Sequence, residues 1–122
     1  MHEIVAAAKA LSDPSRVRAL LALRHGELCV CQLTALLELA PSTASKHLSV
    51  LRQAGLVLSR RQQQWMHYRL PGADTSLPVR RMIALVTDCL AGSDQVRSDD
   101  TRLKSIRRMR AADLCRPRRG RA

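Results

Sequence analysis

The chain has 122 residues, of which 46% are hydrophobic and only 2% aromatic, with no Phe, one Trp and one Tyr. That length suits one small domain plus a tail, and an aliphatic core of this kind favours packed helices over a β-sandwich. The net charge is +11, which points towards nucleic acid or an anionic membrane surface. Much of it is local: between Arg102 and Arg121 nine Lys or Arg face one acid, Asp113, so the preceding part is only mildly basic. Glu3 and Lys9 break the apolar start, so it does not read as a signal peptide, and no apolar run approaches membrane-spanning length. The expected compartment is the cytoplasm, with no membrane partner. Four cysteines there read as metal ligands, reactive thiols or buried fillers, not as a disulfide framework.

In chain order, Ile4, Ala7, Ala8 and Leu11 have helical spacing. Ser12-Asp13-Pro14 then stops one helix and starts another, with Asp13 as cap and Pro14 in the first turn. Val17, Leu20 and Leu21 continue it, and Gly26 fits its end. Leu28, Val30, Leu33, Leu36 and Leu37 predict a third helix starting near Cys29. Pro41 opens a fourth, whose apolar stripe is Ala44, Leu48 and Leu51 and whose stop is Gly55. Two short helices in tight succession, the second with a polar outer face, make a helix-turn-helix pattern. Residues 56–61 and 65–70 read as two strands of a hairpin, a wing, with a loose tip because no Gly or Asn occupies it. Pro71-Gly72 breaks the chain before a last strong helix over 76–91, carrying Val79, Ile83, Val86 and Leu90 on one stripe with Met82 and Leu85 beside it. So much apolar face on a small chain predicts a homodimer built on residues 3–11 and 76–91. The fold class is therefore mostly α with a small β-hairpin: a homodimeric winged helix-turn-helix. Residues 1–92 would form the DNA-binding and dimerisation domain. Residues 93–122 would be a basic C-terminal extension, helical over about 101–110 and disordered over 116–122.

A helix that enters the major groove needs short polar or basic side chains on its exposed N-terminal face. Ser42, Thr43, Ser45 and Lys46 supply them; His47 lies beside the Ala44/Leu51 seam, where a structural hydrogen bond and a DNA contact are equally open. In the wing, Arg60 and Arg61 suit phosphate or minor-groove contact, and Gln63 is the glutamine assigned to the same surface. Thiols spaced C-x-C, with no Gly-rich phosphate loop and no clustered acid/base set, argue against an enzyme.

The segments "LSDPSRVRALLAL", "GELCVCQL", "PSTASKHLSVLRQAGLV" and "RRQQQWMHYRL", in this order, resemble the ArsR family of metal-responsive repressors over roughly residues 4–90. The resemblance implies a winged-helix homodimer that binds double-stranded operator DNA and represses its own operon. "ELCVCQL" is similar to the metal box of the family's arsenite and cadmium sensors, which assigns Cys29 and Cys31 as thiolate ligands. A helix N-terminus favours the thiolate form that binds soft ions. Residues two apart on a helix do not face each other, so one ion holding both sulfurs would distort the first turn of the helix that positions the reading helix. Binding of the ion and of DNA would then compete through one element. Residues 76–122 hold no His, unlike the family's zinc sensors, and no Cys precedes Cys29, unlike its cadmium and lead sensors. As(III) or Sb(III) is left as the expected inducer, with a cadmium/lead or thiol-redox response as the alternative. The family pattern often places a third Cys where Thr34 stands; Cys115 is then the favoured third ligand, and Cys89, near the Val86/Leu90 stripe, reads as a core filler.

Overall fold

The computed structural model describes residues 1–109 and 111–114. Its elements run α1 (His2–Ala10), α2 (Pro14–Ala22), a 3-10 turn (Leu23–His25), β1 (Leu28–Cys29), α3 (Val30–Leu37), α4 (Pro41–Gln53), β2 (Leu58–Gln62), β3 (Trp65–Arg69), α5 (Leu77–Leu90), α6 (Asp94–Arg108) and α7 (Ala111–Leu114). Local chemistry sets many of these limits. Asp13 Oδ1 accepts from the N–H groups of Ser15 at 2.7 Å and Arg16 at 3.3 Å, capping α2 ahead of its proline. Pro41 occupies the first turn of α4, and Gly55 follows that helix with φ +79°, a conformation that costs glycine little.

The core is aliphatic. Leu20, Leu23, Leu28, Leu33, Leu36, Leu48, Leu51, Leu56 and Val57 are fully enclosed, joined by the small buried side chains Ala7, Ala10 and Ala19. Helices α3 and α4 pack together as the helix-turn-helix, and α2 backs both. The apolar stripe expected on α4 is the buried one: Ala44, Leu48 and Leu51.

Two features differ from the sequence reading. The hairpin belongs to a three-stranded antiparallel sheet in the order β1-β3-β2, in which Leu28 pairs with Tyr68 and Cys29 with His67. A two-residue strand is too short to show a period, which is why it escaped notice. The wing tip is also tight, not loose: Gln62 pairs with Trp65, so Gln63 and Gln64 alone make the turn, and Gln63 takes φ +59° without being glycine or asparagine.

The segment expected as an extension enters the core. Helix α6 starts at Asp94, seven residues before the expected helix, and lies against α2 and α3 through Val96, Leu103 and Ile106. Ser93 caps it, its Oγ accepting from the Val96 N–H at 3.4 Å. Cys115 and the segment 116–122, expected to be disordered, lie outside the described residues. Among the described residues, no helix is long and apolar enough to cross a membrane.

Candidate nucleic-acid interface

Helix α4 presents its N-terminal half outwards. Ser42, Thr43, Ser45 and Lys46 are all exposed, while Ala44 and Leu48 anchor the opposite face. The αL conformation of Glu38 (φ 56°, ψ 42°) ends α3 and turns the chain towards Pro41 within three residues. Four short polar or cationic side chains are thus offered to solvent at a helix N-terminus, which suits donation to phosphates and to base edges.

His47 is only half exposed, and its Nδ1 stands 3.2 Å from Arg16 Nη1. Arg16 is itself fixed, donating through Nε to Ala10 O at 2.6 Å. The structural partner left open for His47 is therefore present: it ties α4 to the α1–α2 junction.

The wing residues divide. Arg61 and Gln63 are exposed at the tip. Arg60 is exposed too, but its guanidinium is engaged by Glu27 through Nε–Oε2 at 2.9 Å and Nη2–Oε1 at 2.6 Å. This bidentate bond holds the Glu27 carboxyl below its ordinary range and raises the Arg60 guanidinium. His67 Nδ1 lies 3.9 Å from the same carboxylate. Glu27 was not singled out from sequence: a lone acid before a cysteine carries no signal until the sheet brings the wing beside it.

Cys29 is the N-cap of α3 and is 2% exposed. Its N–H donates to Gln32 Oε1 at 2.9 Å, half of a capping box in which sulfur stands where a hydroxyl is usual. Cys31 sits at the second position of α3, half-buried and disulfide-bonded, so the expectation that the cysteines are reduced thiols does not hold for it in this structure. Cys89 is free and exposed on α5, so it does not fill the core of the single chain as expected. No group of three His, Cys, Asp or Glu that could hold a metal ion occurs among the described residues. A soft ion would find one buried sulfur at Cys29, joined on one side to α3 and on the other to the wing strand through His67.

Helix α5 is amphipathic but poorly covered. Only Val79 is buried; Leu77, Leu85 and Leu90 are exposed, as are Ile4 and Val5 on α1, which packs beside it.

Comparisons with known proteins agree with this architecture. Residues 13–59 match the family described as "Bacterial regulatory protein, arsR family". The arsenic resistance transcriptional regulator ArsR1 of Pseudomonas putida KT2440 is 52% identical over 63 residues, covering 51% of this chain and 49% of the relative. The chain spans about half the length of the arsenic-resistance relatives it matches. Among solved structures, HlyU from Vibrio cholerae N16961 aligns with a TM-score of 0.63 at 34% identity, covering 74% of this chain and 94% of that one. A homodimeric winged helix-turn-helix DNA-binding domain from Mycobacterium bovis, described as a possible ArsR-family transcriptional regulator, aligns with a TM-score of 0.62 at 32% identity, covering 72% and 78%. Family and relatives alike are transcriptional regulators, not enzymes. With the same winged helix and a match across its helix-turn-helix, the chain belongs to the ArsR family of bacterial regulatory proteins.

Proposed function

We propose that this protein is a homodimeric repressor that binds double-stranded operator DNA through α4 and the wing, and that As(III) or Sb(III) at Cys29 and Cys31 releases it. The observation that carries the DNA half is the outward face of Ser42, Thr43, Ser45 and Lys46 at the start of α4, with Arg61 and Gln63 exposed on the wing. The unpaired apolar faces of α1 and α5 support the dimer, as does the homodimeric relative. Arg60 joins the DNA surface by exchanging Glu27 for a phosphate, and His47 serves as a support of α4.

The inducer half draws on the names of the arsenic-resistance relatives and on the position of Cys29. With the Cys31 disulfide opened by a cellular thiol reductant, the ion takes the thiolates of Cys29 and Cys31, with Cys115 as the third ligand. Drawing a buried N-cap sulfur towards a residue two positions on opens the first turn of α3 and strains the β1–β3 pairing. The reading helix and the wing then lose their common setting through one local change.

Fluorescence anisotropy on a duplex selected by the wild-type protein from a random-sequence pool tests both halves. Lys46→Ala and Arg61→Ala should each weaken binding, and a lost phosphate contact should reduce the salt slope of log K by about 1. Cys29→Ser and Cys31→Ser should still bind, because serine caps a helix well, but should not be released by arsenite. Full release of the double variant at the wild-type arsenite concentration would refute the inducer site. Unchanged affinity of Lys46→Ala and Arg61→Ala would refute the DNA surface. Release by cadmium and not by arsenite would transfer the same site to the cadmium response.

A further inference from the structure

Helix α3 ends on a residue that can close only one of its open carbonyls: the Glu38 N–H donates to Thr34 O at 3.0 Å. The next two carbonyls, of Ala35 and Leu36, are closed from outside the helix-turn-helix. Arg102 of α6 donates through Nη1 to Leu36 O at 2.8 Å and through Nη2 to Ala35 O at 3.1 Å. Arg18 of α2 adds a bond to Leu36 O at 3.3 Å. Arg18 is held in turn by Asp99 of α6, bidentately at 2.9 and 3.0 Å, and Asp99 also accepts from Gln95 Nε2 at 3.0 Å. Asp99 is only 4% exposed, so this is a buried carboxylate with its oxygens satisfied. Two guanidinium groups therefore converge on the negative end of α3, where cations are favoured.

This arrangement stands immediately before the turn that delivers the reading helix. From Leu36, the last carbonyl gripped, four residues lead to Pro41, and Arg102 also lies 3.8 Å from Glu38 within that stretch. We infer that Arg102, with the Arg18–Asp99 pair, positions the reading helix: α6 fixes the C-terminal end of α3, so that residues 38–40 present Ser42–Lys46 in one orientation. The inference rests on the DNA-binding reading for its effect on sequence recognition; its effect on the turn itself does not depend on DNA. Phosphate contacts tolerate a small rotation of the helix, whereas hydrogen bonds to base edges do not. A loosened clamp therefore costs operator affinity while leaving sequence-independent affinity in place.

The test uses the full chain as wild type, Arg102→Ala and Arg102→Lys. Arg102 is partly exposed at the surface of α6, so both variants are expected to fold, and circular dichroism checks this. In the DNA-free protein, hydrogen exchange of the Leu36, Leu37 and Glu38 amides at the end of α3 should quicken about tenfold in Arg102→Ala, the effect of losing one or two charge-assisted bonds, with residues 19–22 of α2 unchanged. Affinity for the selected duplex should fall about tenfold, with affinity for a scrambled duplex at the same salt unchanged. Arg102→Lys, with one ammonium able to reach a carbonyl, should recover part of both effects. Unchanged exchange over 36–38 would overturn the inference, as would equal loss of affinity for both duplexes. A wild type that does not discriminate between the duplexes defeats the DNA-binding reading instead, and exchange over 36–38 then decides the inference alone.

Discussion

Helices α5 and α6 follow one another, are nearly equal in length and are both amphipathic, yet they use their faces in opposite ways. α5 is the more apolar, and in the single chain it buries only Val79 and leaves Leu85 60% exposed. α6 is far more polar, yet it buries Val96, Asp99, Leu103 and Ile106 and turns Arg97, Lys104, Arg107 and Arg108 outwards. Its acids Asp99 and Asp100 face inwards to Arg18 and Arg24, so pairing and not hydrophobicity seats that part of the helix. The lesson is that apolar content measures how much surface a helix must cover, not what covers it. α5 leaves its apolar face uncovered in the single chain, whereas α6 is satisfied within it.

The largest test of that contrast is Leu85→Glu. A charge on the uncovered α5 face should abolish the dimer, read as monomer mass by sedimentation at micromolar concentration. Affinity for a two-half-site duplex should fall by about 100-fold or more, because the second half-site contact becomes bimolecular. The fold of each chain should survive, since Leu85 packs on little of its own core. A Leu85→Glu protein that remains dimeric would remove α5 from the interface.

A smaller effect is expected on the α6 side. Asp99→Ala strands the Arg18 guanidinium against α3, and should cost about 2–3 kcal/mol, less than a fully buried pair because Arg18 keeps some contact with water. Thermal unfolding should shift down by about 10 °C, with the dimer intact. An unshifted melting temperature would mean that α6 is seated by its three apolar residues alone.

The smallest effect is one of pH. Burial pushes the Asp100 carboxyl up, but hydrogen bonds from Arg24 and His25 outweigh it and leave the group below its usual range. A carboxyl lowered in the folded state binds fewer protons there than in the unfolded chain. Its contribution is therefore complete above the unfolded value of about 4 and is lost as pH falls through the folded value. Asp100→Asn should lower stability at pH 7 by less than about 1 kcal/mol and should narrow the gap to wild type as pH falls towards 3. Chemical denaturation at the two pH values measures this. A gap that stays constant would show that the Arg24 pairing contributes no pH-dependent stability.

The helix-turn-helix was legible because its signals are local. Asp13-Pro14, Pro41, Gly55 and the stripe Ala44, Leu48 and Leu51 each act within a few residues, so composition and spacing place α2, α3 and α4 and put Ser42 to Lys46 on an outward face. The same holds for Cys29 at the start of α3. Other features depend on residues distant in sequence. The strand Leu28–Cys29 exists only because Tyr68 and His67 lie alongside it, and Arg60 is engaged only because the sheet brings it to Glu27 across 33 positions. Helix α6 was blurred because Asp99 interrupts its apolar stripe. A carboxylate at a core position reads as surface until Arg18, 81 positions earlier in sequence, is seen to neutralise it. From α1 to α4, sequence thus determined which segments are helical and which face each turns inwards, since backbone sterics and short-range burial decide both. Which polar groups are paired, and therefore which arginines remain to meet a phosphate, was decided by the tertiary structure, because a charge is neutralised by whatever the fold places within about 3 Å of it.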